Sequence, residues 1–522
     1  MKPTLTDLAL NPTHAPRSSD ARVAWWRRVL SFQAATVAML LALVYEKARY
    51  DIADPDIWWH LRNAALMLRQ HGWIRADSFS WTVNGRPWID TEWLSEMVYY
   101  AGYRIGGLPG VEVVSLLLLG GIMVGIFYLA WRECGNSKPA LLAALIVAPM
   151  CMVTFAPRTI LMGYMLLLGM LVLLQRYRQT GSGPLWLIPP LFCVWINAHG
   201  SWSLGLVVFA LVIAAGIPQS DVGAIAASPW TAAQKRALCT TFAASVVALL
   251  ANPYGYRAVL YPLDMALRQK LNIAHVEEWA SLDFHTVGGK IVLAIIAALL
   301  VSALVRRYRL NFRELALLLF AVYASFTHVR FLFLAAILIA PLLAKLFDVI
   351  PVYNPANDRP VLNGAILATV LIGIAWFHPT AAGTEQAVAK EFPAGIVGYW
   401  EAHPPQGRVF NFFEWGGFLG WRDAAFRDFV DSRVDLFEYA GIFRDYLAVT
   451  AMQHPDRMLD KYGIRYVLFP RDSPVTEALE RETGAGGWKV DYADPVCVLL
   501  ERAGPTPPGT WRADSSPVAT PW

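Results

Sequence analysis

Eleven apolar runs punctuate this chain, at residues 29–45, 113–131, 139–156, 159–174, 185–196, 202–217, 237–251, 291–305, 315–327, 331–344 and 362–377. Their interiors carry almost no charge, and no water-soluble core buries so many continuous apolar segments in succession. The pattern predicts a polytopic α-helical membrane protein. Only 16% of residues are charged, against about 25% in an ordinary soluble domain, and the deficit lies in these runs. Several are shorter than the ~20 residues that a span needs. Flanking Trp, Tyr and Arg extend them by snorkelling, so roughly eleven transmembrane helices are expected. The 21 Trp suit aromatic belts at two interfaces.

Basic residues set the orientation. Arg27 and Arg28, Arg132 with Lys138, Arg176 with Arg178, Lys235 with Arg236, Arg306 with Arg307 and Arg309, and Lys345 with Arg359 fall in alternate loops. By the positive-inside rule those loops and the tail 1–28 are cytoplasmic. The polar start has no signal-peptide pattern, so the run from Val29 serves as an anchor. An odd number of spans across the membrane domain 29–377 then puts the C-terminal part outside, in the periplasm or extracellular space of a bacterial cytoplasmic membrane. The first external loop, 46–107, is the longest.

Residues 378–505 read as a small extracytoplasmic α/β domain. "RVFNFFEWGGFLGW" and "IRYVLFP" look like strands, "GIFRDYLAVTAMQ" and "SPVTEALERETG" like helices, and "WKVDYADPVCVLLER" like a hairpin. Residues 506–522 read as a disordered tail. The five cysteines suggest neither a disulfide nor a zinc site.

Polar chemistry collects at the outer face. Asp54 and Asp56 form a D-x-D beside Trp58 and Trp59. In an extended segment both carboxylates share a side, where they can hold a divalent cation, or one can act as a base. His60 lies one helical turn beyond Asp56, as a helix cap or as a member of the site. Glu92 lies in "TEWLSEMVYYAGYRIG", which has the pattern of an interfacial amphipathic helix; it supports the aspartates or belongs to a solvated face. Glu277 and Glu278 either complete a cation shell or pair with a nearby base. Arg158, Arg330 and His328 sit at outer ends of spans. There an Arg snorkels to headgroups or forks onto phosphate oxygens. No P-loop or Rossmann fingerprint is present, which argues against a nucleotide-sugar donor, and nothing points to nucleic acid.

"DPDIWWHL", with "ADSFSWTVNGRPWIDTEWLSE", "NPYGYR", "EEWASLDFH" and "FFEWGGFLGW", resembles the GT-C superfamily of membrane glycosyltransferases. It is distantly similar to oligosaccharyltransferase catalytic subunits and protein mannosyltransferases. The resemblance implies an inverting transfer from a polyprenyl-phosphate-linked sugar at the outer face, to a glycan, lipid or protein acceptor. It implies Asp56 as base or metal ligand with Asp54 beside it, Arg330 on the lipid phosphate, and an Mg or Mn ion as cofactor. Glu414 and Trp415 fall in a loose counterpart of the acceptor-binding Trp-Trp-Asp motif, with Phe-Phe-Glu in its place. Where those enzymes carry a further acidic pair, "TFAPRTI" offers Arg158.

The expectation is therefore an integral membrane glycosyltransferase embedded among membrane lipids. Its rivals are a non-catalytic lipid or polysaccharide transporter or scaffold, and a surface-polysaccharide polymerase or ligase. Transport would favour ionisable groups deep within spans, and here the apolar interiors lack them.

Overall fold

The computed structural model describes residues 27–347, 349–482 and 487–511. Each of the eleven apolar runs lies mainly within helix. The first is Phe32–Ala48 and the last Pro360–Trp376. Five helices are long and apolar enough to cross a membrane, or six if the bent pair Pro360–Trp376 and Ala381–Glu391 counts as one span. Leu185–Ala198 and Trp202–Ala214 are apolar but shorter. The chain reads as a multi-pass membrane protein.

Ile160–Thr180 is largely buried in the bundle, packed against Trp93–Cys134 and Ile188–Ala198. Its 21 residues rise about 31 Å, close to the thickness of a hydrocarbon core. Its start carries Arg158 and Thr159, and its end carries Arg178. The helix Leu332–Leu346 runs the same way, with Arg330 before its start and Lys345 near its end. The ends away from Arg158 and Arg330 are tied by ions: Glu133 accepts from Arg313 at 2.6 Å and Lys345 at 2.7 Å, and Lys345 also reaches Glu314 at 2.8 Å.

The segment expected to lie alone in the interface does not stop. Trp93–Cys134 is assigned as one 42-residue helix, broken at Gly107 (φ 63°, ψ −148°). Glycine reaches that conformation at little cost, and Pro109 withholds the next N–H. The bend brings Gly110 so close to the Gly102 carbonyl that a Cβ would lie 2.0 Å from the oxygen. The first arm therefore folds back against the start of the span.

The C-terminal domain is built on a four-stranded sheet, order β1-β2-β4-β3, with β1 Arg408–Asn411, β2 Ile464–Pro470, β3 Trp488–Ala493 and β4 Cys497–Arg502. β1 and β2 are parallel, and β4 is antiparallel to both its neighbours. The hairpin and the helices Ile442–Thr450 and Pro474–Arg481 lie where the pattern put them. "RVFNFFEWGGFLGW" does not stay extended. After Asn411 it turns through a short 3-10 segment into the helix Gly416–Arg422. Gly416 packs against the Val430 carbonyl, which a Cβ would approach to 2.4 Å. At the far end, Thr510 and Trp511 donate backbone N–H groups to Lys461, and the Trp511 ring packs on Tyr462. The chain thus stays docked to Trp511; the rest of the expected tail lies outside the described residues.

The C-terminal domain and the loop between the first two apolar runs share one core. Trp59, Ala64, Ile74, Val83 and Trp88 pack with Phe429, Val430 and Val434. Arg433 locks them together: its guanidinium meets Asp77 of the loop at 2.8 Å and Asp431 at 2.6 Å, all three fully buried.

Candidate active site

Asp56 opens the helix Asp56–Gln70, so the D-x-D is not an extended pair. Asp54 Oδ1 accepts the Asp56 backbone N–H at 2.8 Å, and Asp54 Oδ2 pairs with Arg158 Nε. One acid of the pair is thus engaged through both oxygens. Asp56 Oδ1 accepts from the Trp59 indole N–H at 3.1 Å, and the same indole reaches Ser432 of the C-terminal domain at 3.1 Å. Burial first, then the neighbouring Asp54 charge, pushes the Asp56 carboxyl up to about 7, while the Ser432 and Trp59 hydrogen bonds and Arg158 oppose the rise.

Glu92, read from its helical pattern as supporting or solvated, is central. The His60 and His199 Nε2 atoms lie 3.5 and 3.3 Å from its two oxygens, and the Thr159 hydroxyl donates to it. His199 Nδ1 accepts the Ser201 N–H at 2.9 Å, so the ring proton sits on Nε2, facing Glu92. His60 Nδ1 meets Glu96 at 2.8 Å, and Asn63 donates to the same Glu96 oxygen at 3.0 Å. Burial raises Glu92 to about 8 and, with Arg330, lowers His199 to about 3; His60 is lowered well below its usual value by burial and by His199. Near neutral pH this cluster is therefore uncharged.

These groups line two joined cavities. The narrower, about 110 Å³, is bounded by Asp54, Asp56, His60, Arg158, Glu278 and Arg330, among others. The wider, about 420 Å³, is walled by the aromatic rings Trp59, Trp88, Trp279 and Tyr261 and roofed by Ser432, Arg433 and Asp435. Asp56, Glu92, Ile160, His199, Glu278 and Arg330 border both. Arg330 lies with its guanidinium 4.2 Å from the Trp279 ring centroid, and among the described residues it has no carboxylate partner. Stacking of this kind leaves the in-plane N–H donors free for an anion.

The remaining candidates fall elsewhere. His328 borders neither cavity; its Nδ1 lies 2.6 Å from the Trp279 carbonyl, so it positions that residue. Glu277 and Glu414 are exposed outside both cavities. Trp415 is buried in the core, donating to the Glu391 carbonyl at 3.2 Å. Glu278 does pair with a base, namely Arg158 Nη1. Tyr261, Ser432, Arg433 and Asp435 were missed, although the alternating acids and Arg of "VDSRVD" between apolar residues were a signal to follow.

The expected divalent cation does not fit this donor set. Asp54 has both oxygens engaged, Arg158 lies between Asp54 and Glu278, and among the described residues no three His, Cys, Asp or Glu converge on a point that could hold an ion.

No protein-family model and no curated protein matches the sequence. Solved structures do. The apo oligosaccharyltransferase of Archaeoglobus fulgidus aligns over 86% of this chain and 70% of its own, at 11% identity and a TM-score of 0.51. The same enzyme tethered to an acceptor peptide containing the NVT sequon aligns over 95% and 76%, at 12% identity and a TM-score of 0.53. ArnT from Cupriavidus metallidurans bound to undecaprenyl phosphate aligns over 92% and 98%, at 13% identity and a TM-score of 0.48. At these identities it is the architecture that is shared, and this chain has the fold of the GT-C membrane glycosyltransferases.

Proposed function

We propose that this protein transfers a sugar from a polyprenyl-phosphate-linked donor to an acceptor hydroxyl at the membrane surface. The observation that carries the proposal is the meeting of the two cavities at Asp56. The narrow one has two guanidinium groups, Arg158 and Arg330, suited to a phosphate. The wide one pairs aromatic faces with carboxylates, suited to the apolar faces and hydroxyls of a sugar or glycan.

In this reading the donor phosphate rests against Arg330 and Arg158, and the sugar lies at the junction. The Asp56 carboxylate takes the proton of the acceptor hydroxyl as its oxygen attacks the anomeric carbon. The bond from that carbon to the phosphate oxygen breaks in the same displacement, which inverts the anomeric centre. The leaving polyprenyl phosphate keeps the bonding electron pair, its charge met by the two arginines. A carboxyl near 7 suits a base working close to neutral pH. Glu92 with its two histidines lines the same junction as a neutral, hydrogen-bonding surface.

The test is transfer in proteoliposomes from a purified pool of polyprenyl-phosphate sugars to glycan, lipid and peptide acceptors. Asp56→Asn should lower the rate by about 100- to 10,000-fold with insertion and fold preserved. Wild-type rates in that variant would remove Asp56 from the role of base.

A further inference from the structure

The acids that would gather around a divalent cation here instead gather around an arginine. Arg158 precedes the helix Ile160–Thr180, and the Tyr99 hydroxyl fixes its backbone by donating to its carbonyl at 3.0 Å. Its Nε pairs with Asp54 and its Nη1 with Glu278, carboxylates that the sequence separates by more than half the chain's first 400 residues. The side chain also lines the narrow cavity that it shares with Arg330. A cation in such a site neutralises the acids, fixes their positions and presents positive charge to a phosphate. A guanidinium bridging two carboxylates does all three, with a planar donor left for a phosphate oxygen.

We infer that Arg158 acts as the resident cation of this site, so that a polyprenyl monophosphate binds without any divalent metal. The inference rests on the glycosyltransferase reading for its ligand but not for its ion chemistry. Removing Arg158 should leave Asp54 and Glu278, with Asp56 adjoining, as an uncompensated acidic site that a divalent ion can enter.

Two probes test this on the purified full chain after chelator treatment: Mn²⁺ followed by electron paramagnetic resonance, and undecaprenyl phosphate binding in nanodiscs. Wild type should leave the free Mn²⁺ signal unchanged and bind the lipid equally with chelator or Mn²⁺. Arg158→Ala should take up Mn²⁺, bind the lipid about 10- to 100-fold more weakly in chelator, and recover when Mn²⁺ is added. Arg158→Lys keeps the charge, and it should remain insensitive to chelator while binding more weakly than wild type; it serves if the alanine variant does not fold. Stoichiometric Mn²⁺ uptake by wild type, or chelator-sensitive lipid binding by it, would overturn the inference. So would an Arg158→Ala protein that folds but neither takes up Mn²⁺ nor loses lipid. If wild type binds no undecaprenyl phosphate, the glycosyltransferase reading fails, and the Mn²⁺ comparison still decides the role of Arg158.

Discussion

Replacing Asp56 by Asn should make the protein more stable, and increasingly so as pH rises. The carboxyl is raised from its ordinary 3.8 to about 7, chiefly by burial and by Asp54. That is about three pH units, or about 4 kcal/mol at ~1.4 kcal/mol per unit, as the cost of holding Asp56 ionised in the fold. It is a ceiling, because water in the adjoining cavities screens part of the charge. Between about pH 4 and 7 the folded state keeps a proton that the unfolded chain has released, so stability falls as pH rises through that window. The penalty is absent below about pH 4 and complete above about pH 8. Asn keeps the side-chain shape and an oxygen for the Trp59 indole, and it carries no charge. Thermal unfolding of both proteins in one detergent, from about pH 5 to about pH 8, should show Asp56→Asn melting higher, by a margin that widens with pH. Asp54→Asn should instead melt lower than wild type, since it strips Arg158 of an ion-pair partner. A difference between wild type and Asp56→Asn that is flat with pH, or of reversed sign, would refute the view that Asp56 is held at an energetic cost.

Arg330→Lys keeps a positive charge but loses the planar fork over Trp279, so undecaprenyl phosphate should bind about 10-fold more weakly with the melting temperature unchanged; equal binding would mean that Arg330 only snorkels. Arg433→Met leaves Asp77 and Asp431 buried without their cation and should cost about 3–5 kcal/mol, seen as a lower melting temperature and easier proteolysis of the C-terminal domain; an unchanged melt would show that the apolar core alone holds domain to loop. Reporter tags after Arg309 and at the C-terminus should lie on opposite sides of the membrane, cytoplasmic and external respectively; a cytoplasmic C-terminus would reverse the orientation drawn from the basic loops.

What the sequence disclosed was what local pattern encodes. Apolar runs became helices because length and composition within each run decide the matter. The hairpin from Trp488 to Arg502 was legible through its turn residues. Asp54, Asp56 and His60 stood out because they are crowded into a few positions. Glu92 was open to a solvated reading because helical periodicity says which residues share a face and not what meets that face. His199 reaches it from another helix end, more than a hundred residues later. Phe412–Gly417 looked extended because aromatic content favours strands, whereas the close approach of Val430 to Gly416 is a tertiary fact. The polar run "VDSRVD" marks Ser432 and Asp435 as unusual among apolar neighbours, but nothing local ties them to the first loop's site. Their contribution exists only once the two ends of the chain have met.

That meeting has a consequence for biosynthesis. The Trp59 indole that holds Asp56 also binds Ser432, 373 positions further along the chain. The ribosome delivers the first loop long before the roof that completes the wide cavity. A nascent or truncated chain would present the Asp56 junction open to water, with Trp59 and Trp88 uncovered and Asp77 lacking Arg433. Such a chain would already carry Arg158 and Arg330 at the narrow cavity, while the wide cavity would lack its Ser432, Arg433 and Asp435 side until those residues were made. Order of synthesis therefore fixes when the wide cavity closes: only after residues 432–435 have joined the first loop.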